Sequence, residues 1–352
     1  MQSAALFASL LLGQASPPPN ELGVIPVVMY HAVGGPRVGR ALYDRGGLNI
    51  SVETFRKHLK LMYDAGWYPV NMRDVLTARI EVPKGRTPVV ITFDDGRPSQ
   101  FQYKDGRIDP NSALGVMEAF SAAHPDWPRR AVFYVNTPRN IVPFLQKSEV
   151  QNKIRTLVDL GYEVGNHSAS HKSMANMSAS QLQFEVAETI RYIKKLEPRA
   201  TMDTFCLPFG AWPRRNADLE LLMQGSDKGT TYRNLCVLNA WGGPMPSPAD
   251  KKFDPKRIPR IGVGPGNLEY TLRNMKPGTQ WAPFISDGDP NTLTIPSWAA
   301  KRVDTERLNG VRLVTYPAQD PHGKHDTPRS SGKSAAKAKK QRVPASNPKV
   351  PR

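Results

Sequence analysis

The chain reads as an α/β protein, a distorted (β/α) barrel of roughly seven strands. Two observations predict it. Short apolar runs alternate with helically spaced segments between residues 24 and 316, the pattern of a parallel sheet with helical crossovers. Several of those runs end abruptly in polar residues, as barrel strands do where they meet a site at their carboxyl ends. A doubly wound open sheet is the alternative with the same alternation.

The sharpest run is Pro88-Val89-Val90-Ile91-Thr92-Phe93, followed by Asp94-Asp95-Gly96. A strand buried on both faces cannot hold two unpaired carboxylates, so the pair must sit at its end. Neighbouring side chains on extended chain diverge, which leaves Asp94 and Asp95 free to take different roles. Taken alone, Asp-Asp-Gly reads equally well as a turn.

The other elements follow in order. Ile25 to His31 is a strand, and Val52 to Ala65 has helical spacing closed by Gly66. Trp67 to Val70 is a strand and Met72 to Ala78 a short helix. The long connection Arg97 to Arg130 contains a helix from Ser112 to Ala123, and its polar, aromatic part, Phe101 to Gly106, is expected to wall a cleft. Ala131 to Asn136 is a strand, Ser148 to Leu160 a helix, and Tyr162 to Asn166 a strand running into His167-Ser168-Ala169-Ser170-His171. Ser178 to Leu196 is a helix with a capping signal, and Thr204 to Leu207 is a strand ending in Pro208-Phe209-Gly210. Helix Arg214 to Gln224, strand Leu235 to Trp241, strand Arg257 to Val263, helix Leu268 to Met275 and strand Val311 to Tyr316 complete the pattern.

The ends differ from this body. Ala4 to Gly13 is apolar but too short to cross a bilayer, and small residues follow it. Residues 1–20 are therefore expected to be a signal peptide and linker, with export to the periplasm, envelope or exterior, although no Lys or Arg precedes the run. A frayed amphipathic N-terminus is the other reading. Residues 21–316 are the expected barrel domain. Residues 317–352 read as a basic disordered tail: from 320 on, nine Lys/Arg face two Asp, which supplies +7 of the net +17. Such a tail is suited to an anionic wall polymer or nucleic acid, or is simply solvated. Cys206 and Cys236 exclude a disulfide framework and a cysteine metal site; buried free thiols fit better than one bridge. No transmembrane segment and no oligomer signal is evident.

Three polar clusters thus end three strands: Asp94-Asp95, His167 with His171, and Pro208-Phe209-Gly210. Two imidazoles and one carboxylate form a three-ligand set for a divalent metal with positions left open.

On these residues the chain resembles the polysaccharide deacetylases of the NodB-homology type, carbohydrate esterase family 4. Thr92-Phe93-Asp94-Asp95-Gly96, His167 to His171 and Pro208-Phe209-Gly210 match that family's motifs, and Val28-Met29-Tyr30-His31 is similar to its opening. The resemblance implies a NodB-like barrel and metal-dependent removal of acetyl groups from an N-acetylated glycan, by cleavage of a carbon–nitrogen amide bond. It implies that Asp95, His167 and His171 bind one divalent ion, Zn²⁺ first, with Co²⁺, Ni²⁺ or Mn²⁺ as substitutes. Asp94 would be the base, the backbone N–H of Phe209 the oxyanion donor, and Pro208 and Gly210 would border the substrate. Trp241 is a candidate for stacking on a sugar, and His31 for protonation. The family often carries an arginine two residues before the motif proline, where this chain has Cys206, and a late histidine that this barrel lacks. In the first respect it is similar to the subgroup that acts on extracellular poly-N-acetylglucosamine. The competing readings are a weak or inactive deacetylase fold that binds glycan or anionic polymer, and a polymer tether acting through the tail.

Overall fold

Apolar runs become strands here because both of their faces are covered. The computed structural model describes residues 17–34 and 48–321. In chain order the main elements are β1 (Val27–Tyr30), α1 (Val52–Asp64), β2 (Trp67–Val70), β3 (Thr87–Phe93), α2 (Ala113–Ala123), β4 (Val132–Val135), α3 (Val150–Asp159), β5 (Glu163–Asn166), α4 (Ala179–Leu196), β6 (Thr204–Cys206), β7 (Cys236–Leu238), β8 (Ile261–Gly262) and α5 (Asn267–Asn274). Every residue of β1, β3, β4, β5, β6 and β7 is buried.

These strands form one parallel sheet in the order β7-β6-β5-β4-β3-β1-β8. β2 pairs with the first half of one edge of β3, and β4 takes over on the second half. The sheet curls until its ends approach: Ile258, just before β8, bridges Leu238 of β7, while Ile261 pairs with Val28 of β1. A distorted barrel follows, as the alternation predicts. Because the strands are parallel, all their carboxyl ends share one rim.

Alternation along each strand sorts the side chains. Val28, Tyr30, Ile91, Phe93, Phe133 and Val164 pack outward with α1, α2 and α3. Val27, Val90, Val132, Tyr134, Cys206 and Cys236 pack inward and are sealed by Met72, Val75, Met245 and Phe253. Thr92 and Asp94 share the parity of Val90, so Asp94 falls on the inner side of the rim. The helices start where the sequence places caps. Ser51, Ser112 and Ser178 each accept a backbone N–H of the first turn, worth about 1 kcal/mol apiece, and Ser178 with Gln181 forms a capping box.

Some expectations need correction. Met72 to Ala78 is only a 3-10 turn, Met72–Val75, drawn in as Met72 and Val75 join the inner cluster. Arg214 to Gln224 is a 3-10 turn, Asn216–Leu219, then a single helical turn, Glu220–Met223. The last strand, β10 (Arg312–Tyr316), is not in the barrel. It pairs with an unanticipated strand, β9 (Thr292–Pro296), in a separate two-stranded parallel sheet. Its side chains are half-buried or exposed, unlike the two-faced burial of a barrel strand. An unanticipated hairpin, Gln224–Asp227 with Thr230–Arg233, turns at Lys228-Gly229, both at positive φ. The stretch Phe101 to Gly106 does not wall the rim site. Phe101 is core, and Tyr103 and Gly106 border a separate hollow of about 640 Å³. Cys206 and Cys236 lie on neighbouring strands as buried free thiols. The expected signal peptide and most of the basic tail lie outside the described residues. Among the described residues no helix is long and apolar enough to cross a membrane.

Candidate active site

The rim holds three short turns with four residues in unusual backbone conformations. Asp95, Ser168, His171 and Phe209 all have φ between 53° and 73°, in the left-handed region, with glycines following Asp95 and Phe209. Non-glycine residues there carry strain of order 1 kcal/mol each, held by the surrounding structure, and such strain gathers at functional sites. The turn at Asp95 is what separates the two carboxylates: Asp94 continues the inward face of β3, and Asp95 swings across the rim toward the histidines.

Asp95 Oδ1 lies 3.3 Å from His167 Nε2 and 3.0 Å from His171 Nε2. The three ligand atoms lie within 4.8 Å of one another. Asp95 Oδ1 is buried yet makes no hydrogen bond of acceptable geometry. An orphaned carboxylate oxygen facing two imidazole nitrogens is what a divalent cation site requires, so the residues fit the expected ion. A second triplet, Asp94, His167 and Cys206, also comes together. It is a poor ligand set: both Asp94 oxygens are taken by an arginine, and burial pushes the Cys206 thiol up.

These three side chains are held from behind. His167 Nδ1–H donates to Cys206 O at 2.8 Å, which turns Nε2 toward the site. Asn136 Nδ2 donates to His167 O and Ser168 O, and Ser168 Oγ accepts from His171 N at 3.0 Å. Glu185 of α4 accepts from Ser170 N and Ser170 Oγ. Arg97 grips the outer oxygen of Asp95 through Nε at 2.9 Å and Nη2 at 2.8 Å. Phe209 packs edge-on against the His171 ring at 4.6 Å.

Asp94 is held differently. Arg260, fully buried, donates Nη1 to Oδ1 and Nη2 to Oδ2, both at 2.7 Å. Arg260 Nη1 also reaches Thr92 Oγ1 at 3.1 Å, and its Nε donates to Asn239 O. Burial alone would raise the Asp94 pKa, but the Arg260 charge outweighs it and holds the carboxyl well below its usual range. For Asp95, burial is likewise outweighed, here by the two imidazoles. His31 lies just past β1 with Nε2 4.0 Å from Asp94 Oδ2; burial lowers its pKa against the pull of both carboxylates. Gln100 ties His31 O and Asp94 O together through one side-chain amide.

The sequence reading did not find Arg260. At position 206, where the resembled family often has an arginine, Cys206 Sγ donates to Asp94 Oδ2 at 3.4 Å. The signal was present: an arginine inside the apolar stretch Ile258-Pro259-Arg260-Ile261 needs a buried partner.

Above these groups opens a cavity of about 320 Å³. His31, Asp94, Asp95, Arg97, His167 and His171 line it on the polar side. Met29, Leu48, Leu207, Phe209, Ala240 and Trp241 give it apolar walls. Pro208 and Gly210 are buried behind Phe209. A Cβ on Gly210 would come within 2.7 Å of the Trp241 ring, so Trp241 rests on bare backbone.

Comparison with known proteins agrees with this picture. The sequence model described as polysaccharide deacetylase matches residues 81–222, which span the three motifs. The fold is similar to that of the deacetylase PplD from Streptococcus pyogenes, solved with acetate: TM-score 0.54 and 17% identity, over 74% of this chain and 100% of that one. It is also similar to BC0361, a polysaccharide deacetylase from Bacillus cereus: TM-score 0.51 and 16% identity, over 72% of this chain and 69% of that one. At these identities the likeness concerns the fold. The chain is thus similar to polysaccharide deacetylases over residues 81–222, and it shares their curled parallel sheet.

Proposed function

We propose that the protein is a metal-dependent hydrolase that removes acetyl groups from an N-acetylated glycan of the cell wall or extracellular matrix. The observation that carries this reading is the division of labour at Asp94 and Asp95. One carboxylate is turned toward two histidines with an unsatisfied oxygen, and the other is kept anionic by Arg260 outside that set.

Asp95, His167 and His171 would hold the ion, Zn²⁺ being the first candidate. When bound, it supplies Lewis acidity at the acetyl carbonyl and lowers the pKa of nearby water toward ~7. Asp94 takes a proton from the attacking water. Its depressed pKa keeps it ionised and makes its hold on that proton weak. The backbone N–H of Phe209 donates to the carbonyl oxygen as negative charge develops there. The C–N bond then breaks, and the leaving nitrogen needs the proton back. His31, 4.0 Å from Asp94, passes it on, which yields acetate and a free amine. Pro208 and Gly210 shape the wall, and Trp241 offers its face to the sugar ring.

Residues 21–316 would form the working unit. Export to the envelope is supported by the apolar run Ala4 to Gly13, and anionic wall polymer is the partner that suits the basic tail.

The test separates ligands from proton carriers. Asp94→Asn and His31→Gln should each cut kcat on an N-acetylated chito-oligosaccharide by about 10²–10⁴-fold while leaving metal content intact. Full activity in Asp94→Asn would exclude it as the base.

A further inference from the structure

Among the described residues, three aromatic side chains stand more than half out of the protein: Phe209 at 61%, Trp241 at 58% and Tyr270 at 54%. A single exposed aromatic needs no explanation, but these are not scattered. Phe209 and Trp241 wall the catalytic cavity. From Trp241 the chain continues through Gly242 and Gly243, both at positive φ. A Cβ on Gly243 would lie 3.2 Å from the ring of Trp281, so that indole rests on bare backbone, as Trp241 rests on Gly210. Trp281 in turn meets Tyr270 edge-on, with centroids 6.0 Å apart. Gly243 is two residues from Trp241, a reach of at most about 7 Å. Trp281, half-buried, and Tyr270 thus lie next to the stretch of backbone that carries Trp241 away from the cavity.

Resting on the deacetylase reading, we propose that Trp241, Trp281 and Tyr270 form a glycan track, which binds sugar residues of the polymer beyond the one being deacetylated. The cavity, at about 320 Å³, is at the small end of ligand pockets, so a polymer must leave it across the surface. Sugar rings present flat faces of C–H groups, and aromatic rings bind such faces without charge. The glycines at 210 and 243 keep both indoles close to the backbone, where a side chain would displace them.

The test uses metal-loaded full-length protein and N-acetylated chito-oligosaccharides, dimer and hexamer. In the wild type, KM should be lower for hexamer than for dimer. Tyr270→Ala, at an exposed position, should raise the hexamer KM about three- to tenfold and leave kcat and the dimer KM unchanged. Trp281→Leu should do the same. Unchanged hexamer KM in both variants, or an equal rise for dimer and hexamer, overturns the track. So does a concentration-dependent self-association that Tyr270→Ala abolishes without affecting sugar binding. If the wild type releases no acetate from either sugar, the deacetylase reading fails instead. The track is then read from hexamer binding by tryptophan fluorescence: weaker binding in Tyr270→Ala upholds it, and equal binding overturns it.

Discussion

At the scale of single residues, the Asp94–Arg260 pair decides what the rim can do. Both groups are buried, and each makes the burial of the other tolerable. Arg260→Leu would strand a buried carboxylate and should destabilise the fold by about 3–5 kcal/mol in chemical denaturation. Asp94→Asn in the same chain should recover much of that loss, and the double-mutant cycle measures the coupling. The pH dependence has a definite sign. The folded pKa of Asp94 is depressed, so the pair's stabilisation is present above the ordinary carboxylate pKa and is lost as pH falls below it. Arg260→Leu should flatten that acid-side loss. Asp94 and Asp95 stand out in the sequence because they end an apolar run that cannot contain them, and His167 and His171 because they lie four apart just after a strand. Arg260 is marked locally only by its place in an apolar stretch; its partner lies 166 residues away, and nothing local says which residue that partner is.

At the scale of elements, the β5–α4 connection supplies both histidines on a strained turn. Helix α4 clamps that turn: Glu185 takes two hydrogen bonds from Ser170, and its backbone carbonyl accepts from Ala169 N. Glu185→Ala should therefore weaken Zn²⁺ affinity about 10–100-fold, measured by competition with a chelator, with little change in helix content. Unchanged affinity would mean that the turn holds itself. The strands and helices that build the rim were readable because two-faced burial and serine caps are local signals. β9 is not foreseen and β10 is assigned to the barrel for the opposite reason: β9 packs on a satellite cluster with Leu22 and Ala249, β10 pairs with it, and no local pattern tells a satellite sheet from a barrel strand.

For the molecule as a whole, two buried acids set a second pH dependence, opposite in sign to that of Asp94. Glu163, at the start of β5, accepts from Met72 N and Arg73 N of the inner seal, and burial pushes its pKa up to about 8. Glu21 joins the N-terminal segment to β9 through Thr294 N, and burial raises it to about 7. A raised acid binds its proton more tightly when folded, so stability falls as pH rises from about 4.5 to 8. Thermal midpoints should decline across that range, and Glu163→Gln should flatten the decline. On the proposed reading, Asp95, His167 and His171 hold a divalent ion needed for deacetylation. Metal content and acetate release, measured together on untagged protein and on His171→Ala, test it most directly. About one ion per chain is expected in the wild type, with ion and acetate release lost together in the variant. Protein that takes up no ion under any loading condition, or a His171→Ala chain that still releases acetate at the wild-type rate, would contradict it.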